Sequence, residues 1–121
     1  MSVEKDPERE NRIEDDIVVD ANGKDEVISG WYYYLLDYID FPIKAKCIIE
    51  RSGSPLKLNE VVEVINIADF DDCITEMFVL IKLMDRQFGV PLMQLQPIDV
   101  DDAVTQRVED WHYWVGRGYT F

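Results

Sequence analysis

Short runs in which apolar and polar residues alternate fill the centre of the chain, and they constrain its fold more than any other feature. The clearest run is 43–50, where apolar side chains at every second position are separated by Lys44 and Lys46. A period of two places these sets on opposite faces of a half-buried strand. Further strands are predicted at three places: 61–67, 74–84 and around 89–95. Pro91 favours an edge position for the last of them, because proline cannot donate a ladder hydrogen bond.

Helical periodicity lies on either side of this sheet. From about residue 25 to residue 39, apolar side chains recur at helical spacing and form one face: Ile28, Tyr32, Leu35 and Ile39. Pro42 ends that pattern, because the residue before a proline is pushed out of helical space. A second helix is predicted from about residue 100 to residue 115, with Asp99 as its N-cap. The predicted fold class is therefore α+β: an N-terminal helix, a small curled antiparallel sheet of the SH3-like or open-barrel kind, and a C-terminal helix.

The first 26 residues differ in composition from the rest. They carry ten acidic residues against four basic ones, and only residues 17–19 offer an apolar stretch to a core. A segment of this kind buries too little apolar surface to offset the entropy of ordering it. We therefore expect residues 1–26 to be a mobile or loosely docked acidic arm, and residues 27–121 to be the folded domain.

The formal charge of −13, from 25 acidic and 12 basic residues, limits the partners of the chain. A field of this sign repels nucleic acid and anionic membranes, and it attracts cations or basic protein faces. Two widely spaced cysteines do not make a disulfide framework, no signal peptide precedes them, and no apolar run is long enough to span a bilayer. We expect no nucleic-acid partner, no membrane partner and a cytoplasmic location.

The requirements of the common catalytic sites are not met. His112 is the single histidine, and it lies in an aromatic-rich helical segment where a structural role is more common than a catalytic one. A dyad of His112 with Cys73 or Cys47 is conceivable, although Cys47 lies on the apolar face of a predicted strand. The six glycines do not form a phosphate-binding loop. The chain is predicted not to be an enzyme.

Grouped carboxylates remain as candidates for a site, because hard cations such as Ca²⁺ take about six to eight oxygen ligands. Asp37 and Asp40 are placed in the last turn of the first predicted helix, where the helix dipole and their mutual repulsion both oppose negative charge. A bound cation would offset that cost, and so would Lys44 or Lys46. Both explanations stay open at this point.

A second group of acids surrounds the start of the third predicted strand: Asp69, Asp71, Asp72 and Glu76. The three aspartates repel one another and cap no helix, so they indicate either a cation site or an exposed polar turn. An EF-hand loop starting at Asp69 would need glycine at its sixth position and glutamate at its twelfth, which are Ile74 and Leu80 here. A Ca²⁺ site must therefore be assembled from separated segments, and its candidate metal ligands are Asp37, Asp40, Asp69, Asp71, Asp72 and Glu76.

Several stretches in the same order resemble the small prokaryotic calcium-binding protein family, which includes a cyanobacterial calcium-binding protein. They are WYYYLLD at 31–37 with FPIKAKC at 41–47, DC at 72–73 with EMFV at 76–79, VPL at 90–92 with Leu95, and DWHYW at 110–114 with GY at 118–119. The DWHYW segment is the most specific of them, and the arm at 1–26 lies outside the resemblance.

This resemblance implies a compact α+β fold that binds Ca²⁺ through surface acidic residues and acts as a buffer or reservoir of the ion. Asp37, Asp72 and Glu76 match acidic positions of the family, whereas Asp40, Asp69 and Asp71 are candidates from local charge alone. The sequence departs from the family pattern at three positions where polar residues are expected: Leu36, Ile74 and Thr75.

The same charge supports a second hypothesis from another functional class. An acidic interaction domain without a metal would dock a basic protein face, and in the extreme it would mimic the phosphate array of a nucleic acid. Binding to a basic partner that high salt abolishes and EDTA leaves unchanged would distinguish this function from Ca²⁺ binding.

Overall fold

An antiparallel sheet of five strands forms the centre of the computed structural model, which describes residues 4–19, 21–119 and 121. The strands are β1 (Ile43–Cys47), β2 (Val61–Ile67), β3 (Phe78–Leu83), β4 (Arg86–Pro91) and β5 (Leu95–Ile98). Their order across the sheet is β4-β3-β2-β1-β5. The first four strands thus form a meander, and β5 returns to pair with the free edge of β1.

Strand alternation positions the core face of this sheet. Ala45 in β1 lies opposite Val62 in β2 and Pro97 in β5, and all three side chains are buried. Lys44 and Lys46 point to the other face and are exposed, as the period of two predicts. The same alternation of apolar and polar residues predicted a strand at 61–67, and β2 has those bounds.

In the described part of the chain, three helices accompany the sheet: α1 (Pro7–Asp16), α2 (Lys24–Leu36) and α3 (Asp102–Gly116). The predicted apolar face, Ile28, Tyr32, Leu35 and Ile39, is buried throughout, although Ile39 lies beyond the end of α2. Helix α2 contacts α3 at Trp31 and Trp111, whose ring centroids are 5.1 Å apart. The α+β prediction is confirmed, with an open sheet and with helices before and after it. Among the described residues, none of the helices has the length and apolarity needed to cross a membrane.

Helix α1 lies in the segment that composition predicts to be a mobile or loosely docked arm. Its Ile13 is 3% exposed, and Ile17, which follows the helix, is 4% exposed. Both side chains belong to the same core as the sheet and the other two helices. The arm prediction therefore differs from the structure over residues 7–17 and at residues 24–26, which begin α2. Residues 1–3 and 20 of the predicted arm lie outside the described residues.

Four predicted boundaries are wrong, and the first is the end of α2, predicted at about residue 39 and observed at Leu36. The strand predicted at 74–84 begins at Phe78, because Phe70–Cys73 forms a 3₁₀ turn and bends follow it. The strand predicted around 89–95 is instead two elements, β4 on the sheet edge and β5 on the opposite edge. The N-cap of α3 is Asp101 rather than Asp99, since the Asp101 carboxylate accepts a hydrogen bond from the Val104 N–H at 2.9 Å.

Candidate metal centre

The C-terminal end of α2 carries the first pair of candidate ligands. The helix ends at Leu36, so Asp37 is the C-cap, and Asp40 lies beyond the last turn rather than in it. The Asp37 N–H still donates to the Tyr33 carbonyl at 2.9 Å, while both aspartate side chains are exposed. The last turn contains no basic residue. Two carboxylates therefore add to the negative end of the helix dipole, an arrangement that favours a cation there.

Arg107 of α3 contacts the rings of Tyr34 and Tyr38, the second of which lies between these two aspartates in the sequence. Its guanidinium carbon lies 4.3 Å from the ring centroid of Tyr34 and 3.9 Å from that of Tyr38. Tyr38 stands directly after Asp37, and its ring is also in contact with the ring of Tyr34. Because the guanidinium lies over the faces of both rings, these are cation–π contacts. They attach the C-terminal end of α2 to α3.

Asp40 opens onto a surface groove that sequence reasoning did not predict. The groove is lined by Asp40, Lys44, Glu63, Asp99 and Asp101, together with apolar residues of β5 and α3. Lys44 lies opposite Glu63 in the β1–β2 ladder. Within the described part of the chain, neither Lys44 nor Lys46 forms an ion pair with Asp40. The lysine explanation for the acidic helix end thus receives no support from a direct contact.

The 3₁₀ turn Phe70–Cys73 carries the second group of candidate ligands. Asp69 precedes the turn, and its carbonyl accepts a hydrogen bond from the Asp72 N–H at 2.9 Å. The side chains of Asp69, Asp71 and Asp72 are all exposed. This turn caps no long helix, so its three carboxylates are not explained by capping.

Aromatic contacts attach this turn to α2. The ring centroid of Phe70 lies 5.2 Å from that of Tyr32, and the Tyr32 hydroxyl donates to the Ala68 carbonyl at 2.8 Å. Cys73 is buried, and its thiol contacts the backbone of Phe78. The partly buried Phe70 and the buried Cys73 therefore hold the two ends of the acidic turn against the fold, while its carboxylates are exposed.

Among the described residues, Glu76 differs from the other five candidates because it has an ion-pair partner. Arg51, in the loop after β1, donates from Nη1 to Oε1 at 2.8 Å and from Nη2 to Oε2 at 3.0 Å. This bond raises the pKa of Arg51 above its ordinary value, and burial opposes the change. Nothing in the spacing of residues 51 and 76 predicts the contact, because the two residues belong to different loops.

The candidate residues fit Ca²⁺ by their chemistry but are not gathered into one cage. Carboxylate oxygens are the hard ligands that Ca²⁺ prefers. Across residues 4–19, 21–119 and 121, however, no three acidic, cysteine or histidine side chains lie close enough together to hold a metal ion. The structure keeps Asp37 and Asp40 at the end of α2 and the other four candidates near the 3₁₀ turn, so an ion would need further oxygens from backbone or water.

The catalytic alternative receives no geometric support. Cys47 and Cys73 are both buried, and burial raises the pKa of each thiol, which disfavours the nucleophilic thiolate. His112 lies with Nε2 3.2 Å from the Leu92 carbonyl, and burial lowers the pKa of its ring. Cys73 and His112 thus bind different backbone groups, and no hydrogen bond joins them among the described residues.

Comparison with known proteins gives the family. The CcbP family model, described as calcium binding, matches residues 11–115. The crystal structure of Anabaena CcbP is 39% identical, with a TM-score of 0.88 over 100% of both chains. A calcium-binding protein in its calcium-binding form is 38% identical, with a TM-score of 0.86 over 100% of this chain and 99% of that one. A comparison with curated protein sequences finds no significant match.

The family match covers both acidic regions, the whole sheet and most of α3. The two structural matches extend the likeness over the whole chain, including the helix that composition did not predict. The resemblance seen in the WYYYLLD and DWHYW segments is therefore confirmed: this chain belongs to the CcbP family of calcium-binding proteins.

Proposed function

We propose that this chain binds Ca²⁺ through exposed carboxylates at the end of α2 and around the 3₁₀ turn, without an EF-hand and without catalysis, and that it acts as a Ca²⁺ buffer or a Ca²⁺-responsive module. Its membership of a calcium-binding family supports the choice of ion. The ligands proposed are Asp37, Asp40, Asp69, Asp71, Asp72 and Glu76.

The observation that carries this proposal is the uncompensated charge of five exposed aspartates. Arginines neutralise the carboxylates of Asp6, Glu10, Glu76 and Asp110. In the part of the chain that is described, no ion pair forms at Asp37, Asp40, Asp69, Asp71 or Asp72. Unpaired carboxylates near one another repel, and a divalent cation removes that repulsion.

The surroundings of the acidic turn are unlike those of an EF-hand. An EF-hand loop connects two helices and spaces its ligands over about twelve residues. Phe70–Cys73 instead lies between β2 and β3, and it contacts a helix through the rings of Phe70 and of Tyr32 in α2. Ligands on separate segments must be brought together on binding, so we expect an affinity on the order of 10⁻⁵ M or weaker.

Isothermal titration of EDTA-stripped protein with CaCl₂ tests the proposal. A salt concentration of about 0.15 M screens exposed charges beyond roughly 8 Å, so diffuse attraction contributes little. We expect saturable Ca²⁺ binding, with MgCl₂ binding much more weakly in a parallel titration. An equal response to both ions, or no saturable heat below millimolar Ca²⁺, would refute specific Ca²⁺ binding.

Single-charge variants locate the ligands. Asp37→Asn and Asp72→Asn each remove one proposed ligand, and both should weaken Ca²⁺ binding. Asp85→Asn is the matched control, because Asp85 is exposed in the β3–β4 turn and its φ of 64° suits asparagine. Asp99 is less suitable as a control, since it lines the groove of Asp40. Equal weakening in all three variants would mean that only net charge attracts the ion.

A basic protein partner is the second candidate function, and the unpaired aspartates favour it as well. Such a partner would bind the same faces through long-range attraction that salt weakens. Pull-down of basic proteins at low and high salt, each with and without EDTA, separates the two functions. Binding that depends on salt and not on EDTA would support docking without a metal.

A further inference from the structure

We propose that Arg51 is an affinity-setting residue: its guanidinium occupies Glu76 as an internal cation, and Ca²⁺ has to displace it to use that carboxylate. This inference rests on the proposed function, because it concerns one ligand of the same site. It assigns a role to a basic residue that the charge pattern of the sequence did not single out.

The geometry of the pair is that of a strong carboxylate–guanidinium contact. The two hydrogen bonds, at 2.8 and 3.0 Å, use both oxygens of Glu76 and both terminal nitrogens of Arg51. Bidentate pairing of this kind is more directional than a lysine contact, because the planar fork of arginine matches the carboxylate. Glu76 therefore has no oxygen free of a guanidinium bond.

The pair is nevertheless reachable from solvent. The side chain of Arg51 is 43% exposed and that of Glu76 is 24% exposed. Solvated ion pairs are weak, typically worth a factor of about five or less in an equilibrium constant. A metal ion can therefore compete for the carboxylate, but it does so against a partner that is permanently present at high local concentration.

The position of Glu76 in the sequence, close to three other candidate ligands, explains why competition between Arg51 and Ca²⁺ would matter for affinity. Glu76 follows the turn that holds Asp69, Asp71 and Asp72, and those three aspartates have no ion-pair partner of their own among the described residues. Arg51 thus neutralises one member of this group and leaves three. Removing the guanidinium would free Glu76 as a further oxygen ligand beside an already acidic turn.

Calcium titration of Arg51→Gln against a matched variant tests the inference. Arg86→Gln removes the same charge from an exposed residue of β4 and so controls for net charge. We expect Arg51→Gln to bind Ca²⁺ about two- to fivefold more tightly than Arg86→Gln. An affinity equal to that of Arg86→Gln would overturn the inference, and a weaker one would mean that Arg51 positions Glu76 instead of competing for it.

A double variant shows whether the gain passes through Glu76. In the Arg51→Gln background, Glu76→Gln should abolish the extra affinity, while in the wild-type background Glu76→Gln should have a smaller effect. Equal effects of Glu76→Gln in both backgrounds would also overturn the inference.

A readout that does not depend on affinity is the NMR signal of the Arg51 Nη–H groups, which donate to Glu76 and are assigned by their loss in Arg51→Gln. Saturating Ca²⁺ should move this signal toward that of a free arginine, and an unchanged signal would contradict displacement. The proposed function fails in a different way, namely if the wild-type chain shows no saturable Ca²⁺ binding. Saturable binding with an unresponsive Arg51 would reject this inference alone.

Discussion

Arg12 of α1 binds both carboxylate oxygens of Asp110 of α3, with Nε–Oδ2 and Nη2–Oδ1 distances of 3.0 and 2.6 Å. Asp110 is fully buried, and it also receives a hydrogen bond from the Tyr34 hydroxyl at 2.7 Å and an ion pair from Arg9 at 3.1 Å. Burial, followed by the bond to Asp110, raises the pKa of Tyr34 to about 12, so this phenol remains a donor. One buried carboxylate thus joins all three helices.

Replacement of this carboxylate should lower the stability of the whole domain. Asp110→Asn keeps the shape of the side chain but removes the buried charge that Arg12 and Arg9 share, while Asp6 remains as a partner for Arg9. We therefore expect the free energy of unfolding to fall by about 3 kcal/mol. Urea unfolding followed by circular dichroism measures the change. Glu109→Gln is the control on the same helix, since Glu109 is half-buried and accepts one bond from Gln96. A comparable loss in both variants would argue against a special role for Asp110.

Gly30 should resist substitution even though alanine favours helices. A Cβ atom at this position would collide with the backbone carbonyl of Ile17, which packs against α2. We expect Gly30→Ala to destabilise the fold by roughly 1–3 kcal/mol despite a propensity gain of about 1 kcal/mol. Gly89→Ala is the matched control, because a Cβ there meets no atom within 4 Å. In thermal unfolding, the melting temperature of Gly30→Ala should be clearly lower than that of Gly89→Ala. Equal melting temperatures would refute the close approach of the Ile17 carbonyl to Gly30.

Protonation of His112 should weaken the fold at mildly acidic pH. Burial lowers the pKa of its ring below the ordinary value of 6.5, with opposing contributions from the Leu92 carbonyl and Glu109. As pH falls below 6.5, the unfolded chain takes up this proton before the folded one, so the free energy of unfolding decreases until the folded ring is also protonated. His112→Gln removes this contribution. The free energy of unfolding of both proteins is measured from about pH 7.5 to about pH 5.5, and the wild type should lose more of it than His112→Gln. Parallel curves of unfolding free energy against pH would contradict this prediction.

Calcium should stabilise the folded chain by mass action. At a free concentration about a hundredfold above the dissociation constant, the gain is about 2.7 kcal/mol, which corresponds to a rise of roughly 10 °C in the melting temperature. EDTA should reverse the rise. Sodium chloride at matched ionic strength is the control, because it screens charge without occupying a site. The same rise with sodium chloride would show that screening alone is responsible.

Local patterns were sufficient to predict the elements that depend on one face being buried. Alternation placed Val61–Ile67, and helical spacing placed the buried face of α2. The β3–β4 hairpin was not predicted, because its two turn residues, Met84 and Asp85, take positive φ angles of 51° and 64° without the asparagine or glycine that normally signals such a turn.

Side-chain contacts between residues far apart in the sequence explain the other differences between the predictions and the structure. Helix α1 is rich in acids, and its arginines find their counter-charge on Asp110, 98 residues away for Arg12. Neither the composition nor the residue spacing of the sequence predicts that contact. The candidate ligands were chosen from local charge and family pattern, which identify carboxylates but not their neighbours. The Arg51 partner of Glu76 and the groove at Asp40 both depend on how separate loops meet.

The return of β5 to β1 also sets an order for folding during translation. Ala45 pairs with Pro97, so one edge of β1 has no strand beside it until the residues of β5 have left the ribosome. The growing chain can complete the meander of β1 to β4 before this happens, but it must carry an open strand edge while it does so. Pairing of β5 with β1 is therefore the step that closes this edge of the sheet, and a product truncated before residue 95 would keep that edge exposed.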